Sequence, residues 1–189
     1  MKDFFRESAI AIESLAKLSP QCEILAKKFI DVHLSGGSIL VAGNGGSFSD
    51  ALHFVGELTC TYKSPARRGL RAISLGANGS AITAWANDFG FESFYQRQVD
   101  AIGKTGDVLV LISTGGGSDS GGYSANLVNA MNLAKEKGIY TVGLVGKGGG
   151  VIGRNADLVL HVESFSTAVV QQCHIVLIHK ICELLEHFE

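Results

Sequence analysis

His53 and Glu57 stand four residues apart in the otherwise apolar stretch Ala51-Leu52-His53-Phe54-Val55-Gly56-Glu57-Leu58. That spacing puts an imidazole and a carboxylate on one face of a helix, as a candidate acid–base pair or metal site. A second polar group, Gln171, His174 and His179, is set among Val169, Val170, Ile175, Val176, Leu177 and Ile178 near the C-terminus. Polar side chains left without partners in such surroundings cost about 1–3 kcal/mol each, so shared contact with a metal or a substrate is the expected resolution. His33, His161 and His187 have no comparable company and read as surface or structural residues.

Two glycine-rich loops supply the other half of a site. Gly43-Asn44-Gly45-Gly46-Ser47 follows the apolar run Ser38-Ile39-Leu40-Val41-Ala42 and leads into the His53 helix. Glycines there let backbone N–H groups approach an anion closely, and Ser47 is expected to cap the helix and present its hydroxyl. Ser113-Thr114-Gly115-Gly116-Gly117-Ser118 repeats the pattern after another apolar run. Two such loops at neighbouring strand ends can wrap a phosphate monoester with N–H and O–H donors and no obligatory cation. A nucleotide is disfavoured. The third glycine of a dinucleotide fingerprint would fall on Phe48, and Gly146-Lys147-Gly148 has glycine where a Walker loop needs a hydroxyl. Asn87-Asp88, after Ala84-Trp85-Ala86, could bond sugar hydroxyls but are also ordinary helix-end residues.

Composition narrows the class. With 189 residues, 46% of them hydrophobic, the chain can bury one sizeable core. Sixteen Lys and Arg against 18 Asp and Glu leave no basic footprint for nucleic acid. The short basic segment from Lys63 to Arg71, interrupted by Pro65, reads as a solvated loop. Cys22, Cys60, Cys173 and Cys182 form no CxxC pair and are expected to be reduced and mostly buried. The N-terminus has no apolar signal core, and no apolar run is expected to approach the ~20 residues that cross a bilayer. A soluble, cytoplasmic protein without membrane or nucleic-acid partners is expected.

The elements that must position these groups alternate. Residues 2 to about 34 read as helix, broken at Pro20 with Ser19 as a cap. Runs at 38–42, 71–75, 107–112, 139–145 and 157–162 are rich in Val, Ile and Leu and mostly lack polar alternation, as parallel strands covered on both faces do. Segments 48–61, 79–102, 121–137 and 167–188 show helical periodicity. The pattern predicts a single α/β domain, a three-layer αβα sandwich on a five-stranded parallel sheet, with an N-terminal helical extension. In such folds ligands lie beyond the carboxyl ends of the strands, where the glycine loops fall.

The set Gly43-Asn44-Gly45-Gly46-Ser47, Asp50, His53-Phe54, Glu57-Leu58, Ala86-Asn87-Asp88-Phe89-Gly90-Phe91-Glu92, Gln96-Arg97-Gln98-Val99 and Gly106-Asp107-Val108-Leu109 resembles the phosphoheptose isomerases, members of the sugar isomerase (SIS) domain superfamily. The closing Gln171…His174-Ile175-Val176-Leu177-Ile178-His179…Cys182-Glu183-Leu184 shares that resemblance. It implies flavodoxin-like winding and conversion of sedoheptulose 7-phosphate into D-glycero-D-manno-heptose 7-phosphate for bacterial surface glycans. It also implies zinc held by His53, Glu57, Gln171 and His179, with acid–base roles for Glu57 and His179. Substrate contacts are implied for Asn44, Gly45, Gly46, Asn87, Asp88, Ser113, Thr114, Gly115, Ser118 and Gln171, to which the loop chemistry adds Ser47. A homotetramer with sites between subunits is implied, its contacts expected to involve residues 1–34. A related branch that binds the bacterial replication initiator lacks the Glu and the final His, so their presence here argues for an enzyme.

Several positions depart from the family pattern. Gly115 and Gly117 stand where Ser and Asn are usual, Leu52 where Gln is common, and Asp119-Ser120-Gly121-Gly122-Tyr123 is longer than usual. Glu163-Ser164-Phe165-Ser166 replaces an acidic pair. These bear on the sugar more than on the reaction type. Gln171 and His179 are eight residues apart, about 12 Å along a regular helix. They reach one metal only if their side chains converge or two subunits share the site.

Overall fold

The computed structural model describes residues 3–186. Five strands, β1 (Ile39–Gly43), β2 (Ala72–Ser74), β3 (Val108–Ser113), β4 (Tyr140–Val145) and β5 (Leu158–His161), form one parallel sheet in the order β2-β1-β3-β4-β5. β1 and β3 are buried along their whole length, which explains why their sequences do not alternate. The chain leaves β1 toward β2 and returns to place β3 on the other side, so β1 and β3 flank the switch point. Gly43 pairs with Ile112, which sets the two glycine loops side by side at the carboxyl edge.

One face of the sheet carries α1 (Phe4–Ser14), α2 (Ser19–Leu34), α3 (Gly46–Thr59) and α8 (Thr167–Leu185). Phe29, Phe54, Leu58, Leu177 and Ile181 pack there on Val41, Val110 and Leu144. The other face carries α4 (Gly79–Phe89), α5 (Phe94–Ile102), α6 (Ala125–Glu136) and α7 (Gly150–Asn155). Phe94, Val99, Met131 and Ile152 cover Leu40, Leu109 and Leu111 there. The sandwich and the five parallel strands are those the sequence predicts.

Details differ where backbone geometry overrides periodicity. The stretch 79–102 is two helices, because Gly90 at φ 88° and ψ 143° cannot continue either. The helix expected from 121 starts at Ala125, since Gly121 and Ser124 are left-handed. Pro20 sits in the first turn of α2, after a 3-10 turn over Leu15–Leu18, and Ser19 makes no capping bond. Likewise Ser47 does not cap α3; Gly45 precedes the helix at φ 56° and ψ −125°, a glycine conformation, and Ser47 is buried in the first turn. The short α7 had no periodic signal. Arg67, within the supposed solvated loop, is buried at 5% exposure. Cys60 is exposed and the other three free cysteines are buried.

α8 corrects the expectation that no segment is long and apolar enough to span a bilayer. Its 19 residues have mean hydropathy 1.3, and half of them are buried against the rest of the fold. A core helix shared between α1, α2 and α3 has the same composition as a membrane span. His187 lies outside the described residues.

His174 sits on the core side of α8 rather than with a polar cluster. It is fully buried, and neither ring nitrogen makes a well-formed hydrogen bond, the Val145 backbone being its polar neighbour of note. Burial pushes its pKa down to about 4, with the Val145 backbone pulling weakly the other way. The neutral ring therefore favours folding above the ordinary histidine pKa of about 6.5, and that contribution is lost as pH falls from there toward the folded value. His174→Leu should flatten the fall in thermal midpoint between pH 6.5 and 4, a difference of up to about 3 kcal/mol by pH 4. Thermal denaturation at several pH values checks this.

Candidate active site

The two glycine loops meet at the ends of β1 and β3. Among the described hydrogen bonds, none uses the N–H groups of Gly45, Gly46, Thr114, Gly115 or Gly117, which leaves these loop donors available to a ligand. Ser113 Oγ accepts from Gly116 N at 3.0 Å and lies 3.3 Å from Ser124 Oγ. Asn44 is tied reciprocally to Asn126, two amide hydrogen bonds of 2.9 Å that lock the first loop to α6. Its side chain is thus a brace between loops more than a free substrate donor.

Glycine is required at Gly116 and Gly150 by close backbone approach. Both have positive φ, and a Cβ on either would strike the other loop's backbone. Gly116 O and Gly117 O accept from Ile152 N and Val151 N at 2.8 and 3.1 Å, pinning the β3 loop to α7.

Ser118 lines the cavity next to the β3 loop and is engaged within its own segment. Its N–H donates to Tyr123 O at 3.3 Å, and its hydroxyl accepts from Gly122 N at 2.9 Å. The long segment 119–123 therefore folds back on Ser118, and Ser124 stands beside Ser113 at the start of α6. Reading the α6 pattern from Ala125, with Ser124 just before it, would have found this serine. Tyr123 lies over Gly115, where an added Cβ would meet its ring at 2.8 Å. A cavity of about 460 Å3 beside the cradle is lined by Ser118, Tyr123, Lys147 and Arg154, and by none of His53, Glu57 and His179.

Those three side chains form a separate cluster on the α3–α8 face. Their candidate ligand atoms all lie within 4.8 Å of one another. His53 Nε2 is 3.0 Å from Glu57 Oε1. The His53 and His179 rings meet edge to face at 5.2 Å, and Tyr62 stacks on His179 at 5.6 Å and 29°. One turn before His53, burial pushes the Asp50 carboxyl up to about 6 while His53 pulls it down, and its Oδ2 has no partner. Burial, then the nearby Glu57 charge, keep Cys182 a thiol with a pKa of about 12.

Gln171 stands about two turns before His179 on α8. It lies against Gly46, where any Cβ would collide with its amide, beside the first glycine loop. Asn87 and Asp88 are exposed at the end of α4, on the opposite face of the sheet, with Asn87 Nδ2 donating to Asp88 Oδ1 at 2.7 Å. Neither touches the cluster within this chain.

A parallel sheet with two glycine-rich loops at its switch strands, and an imidazole–carboxylate cluster further along the helix after the first loop, is an arrangement that α/β domains use on phosphorylated small molecules. The SIS domain family model matches residues 3–146. Phosphoheptose isomerase of Helicobacter pylori (strain P12) is 41% identical over 188 residues, covering 99% of this chain and 94% of its own. That of Geobacter sp. (strain M21) is 45% identical over 170 residues, 90% and 85% of the two chains. The solved phosphoheptose isomerase GmhA of Neisseria gonorrhoeae superposes with a TM-score of 0.86 at 37% identity, over 96% of this chain and 94% of that one. The chain belongs to the phosphoheptose isomerase family.

The loop geometry separates two serines. A hydrogen bond to a charged group contributes about 1.5–3 kcal/mol. Ser124→Ala should therefore weaken inorganic phosphate binding at least about tenfold, and Ser118→Ala should leave it within about twofold. Calorimetric titration of each variant reads this directly.

Proposed function

We propose that this protein interconverts sedoheptulose 7-phosphate and D-glycero-D-manno-heptose 7-phosphate, supplying heptose for bacterial surface glycans. The observation that carries this reading is the convergence of Glu57 on α3 and His179 on α8, further along α3 from the loop cradle. The family relationship supports the substrate. Length supports it as well. His53 lies seven residues beyond Gly46 on α3, about 10 Å along the axis, a span suited to an extended sugar chain with its phosphate in the cradle.

The chemistry moves a carbonyl from C2 to C1. A carboxylate such as Glu57 takes the proton from C1, giving an enediol, and a proton is returned to C2 while the O1 hydroxyl proton passes to O2. His179 serves the oxygen-to-oxygen proton movement. The amides of Gly45, Gly46, Thr114, Gly115 and Gly117 grip the phosphate and so fix C1 and C2 against the cluster.

Two imidazoles and a carboxylate whose ligand atoms lie within 4.8 Å of one another are a donor set that zinc accepts. His53, Glu57 and His179 would hold the ion, with Gln171 of α8 as a further candidate ligand. A bound zinc would stabilise negative charge developing on the substrate oxygens. Because Glu57 bound tightly to metal is a poor base, base action requires it to be released from the ion or held loosely.

The protein is also proposed to assemble as a homotetramer through residues 1–34 and to work in the cytoplasm. Exposed Phe5 and Ile10 on α1, and Phe89 on α4, support contacts between copies. Placement of Asn87 and Asp88 away from the cluster supports sites shared between subunits.

Glu57→Gln should slow isomerisation of sedoheptulose 7-phosphate by about 10²–10⁴-fold with the thermal midpoint retained. Assays of wild type and variant, with and without a chelator, test both the base and the metal. Wild-type turnover by Glu57→Gln would remove Glu57 as the base.

A further inference from the structure

The segment after α3 is built to hold the reacting cluster. Arg67 donates from its buried guanidinium to Leu58 O at 3.2 Å, to Arg68 O at 2.8 Å, and to Glu57 O. Its Nε lies 3.6 Å from Glu186 Oε1, just past the end of α8. The same Glu186 carboxylate accepts from Lys63 N at 3.3 Å and Ser64 N at 2.7 Å. Lys63 Nζ pairs with Glu183 of α8 at 2.7 Å and lies 5.3 Å over the Tyr62 ring. One nearly buried ion pair thus ties the last carbonyls of α3 to the end of α8, and Tyr62 lies between them on His179.

We propose that residues 60–67 form a strap whose function is to position His179. It rests on the reading of Glu57 and His179 as the reacting pair. The terminal torsion of a histidine is broad and two-fold, so an unsupported ring samples orientations that turn its nitrogens away from Glu57. Tyr62 holds one face of the ring while His53 meets it edge to face. Tyr62 is a positioning residue, and Arg67 and Glu186 anchor it. The phosphate cradle lies at the opposite end of α3 and is untouched by the strap. Loss of the strap therefore lowers turnover without weakening substrate capture, since a displacement of about 1 Å in a reacting group is worth up to about 10²-fold.

The test compares Tyr62→Phe with Tyr62→Ala. Tyr62→Ala should lower kcat about ten- to a hundredfold with KM within about twofold, and Tyr62→Phe should stay within about threefold of wild type. Glu186→Ala, which keeps the ring but frees its anchor, should lower kcat in the same direction with KM unchanged. Independently of activity, loss of the Tyr62 ring current should move the NMR resonances of the His179 ring carbon-bound protons in Tyr62→Ala and hardly at all in Tyr62→Phe. Wild-type kcat in Tyr62→Ala, equal losses in the Phe and Ala variants, a rise in KM alone, or unmoved His179 resonances would each overturn the strap. A wild-type protein inert toward sedoheptulose 7-phosphate would overturn the proposed reaction, with the NMR comparison still deciding the strap.

Discussion

α8 lies alongside α3 on one face of the sheet, pressed there by Phe54, Leu58, Leu177, Ile178 and Ile181. Gln171 meets Gly46 near the start of both helices, and His179 meets His53 and Glu57 further along. The two helices therefore run in the same sense, and each point along the pair has a distinct chemistry. One end faces the two glycine loops, and the other carries the His53, Glu57 and His179 side chains. Burial of the apolar faces at about 25 cal/mol per Å2 supplies the force, and the polar residues are carried into place by the packing of their neighbours. A change in helix register would separate the cluster without altering its composition.

The cradle depends on side chains that are absent. Gly45 supplies a backbone turn that a Cβ disfavours, and Gly116 and Gly150 let two loops touch backbone to backbone. That contact uses the first amides of α7 on the carbonyls of Gly116 and Gly117, and leaves the opposite edge of the β3 loop free to donate. The glycines at 115 and 117 are therefore fitted to their neighbours: the Tyr123 ring fills the space over Gly115, and Val128 that over Gly117. What looks in the sequence like a weakened phosphate loop is a loop repacked around an inserted segment.

Three of the buried polar groups illustrate two kinds of environment. Asn44 with Asn126, and Arg67 with Glu186, are partnered, and each joins elements distant in sequence. His174, without a well-formed hydrogen bond, stays neutral because the core excludes its charged form. The partnered groups join distant elements around the site; His174 records the cost of a tight core.

Strand positions, helical stretches and both loops were legible because burial on two faces and glycine after an apolar run are local signatures. The pairing of His53 with Glu57 was legible too, since helical spacing alone puts them on one face. The sequence could not show that Arg67 is buried, because a short basic segment looks the same whether solvated or folded under a carboxylate more than a hundred residues away. Nor could it separate Ser124 from Ser118, a choice made by left-handed backbone at Gly121 and Ser124. The chain by itself determined its layers, its strand ends and the chemical kinds gathered there. Which His, which Ser and which Arg share a site was decided by α8 settling on α3 and by loop backbones in contact, because such meetings depend on distances that periodicity does not encode.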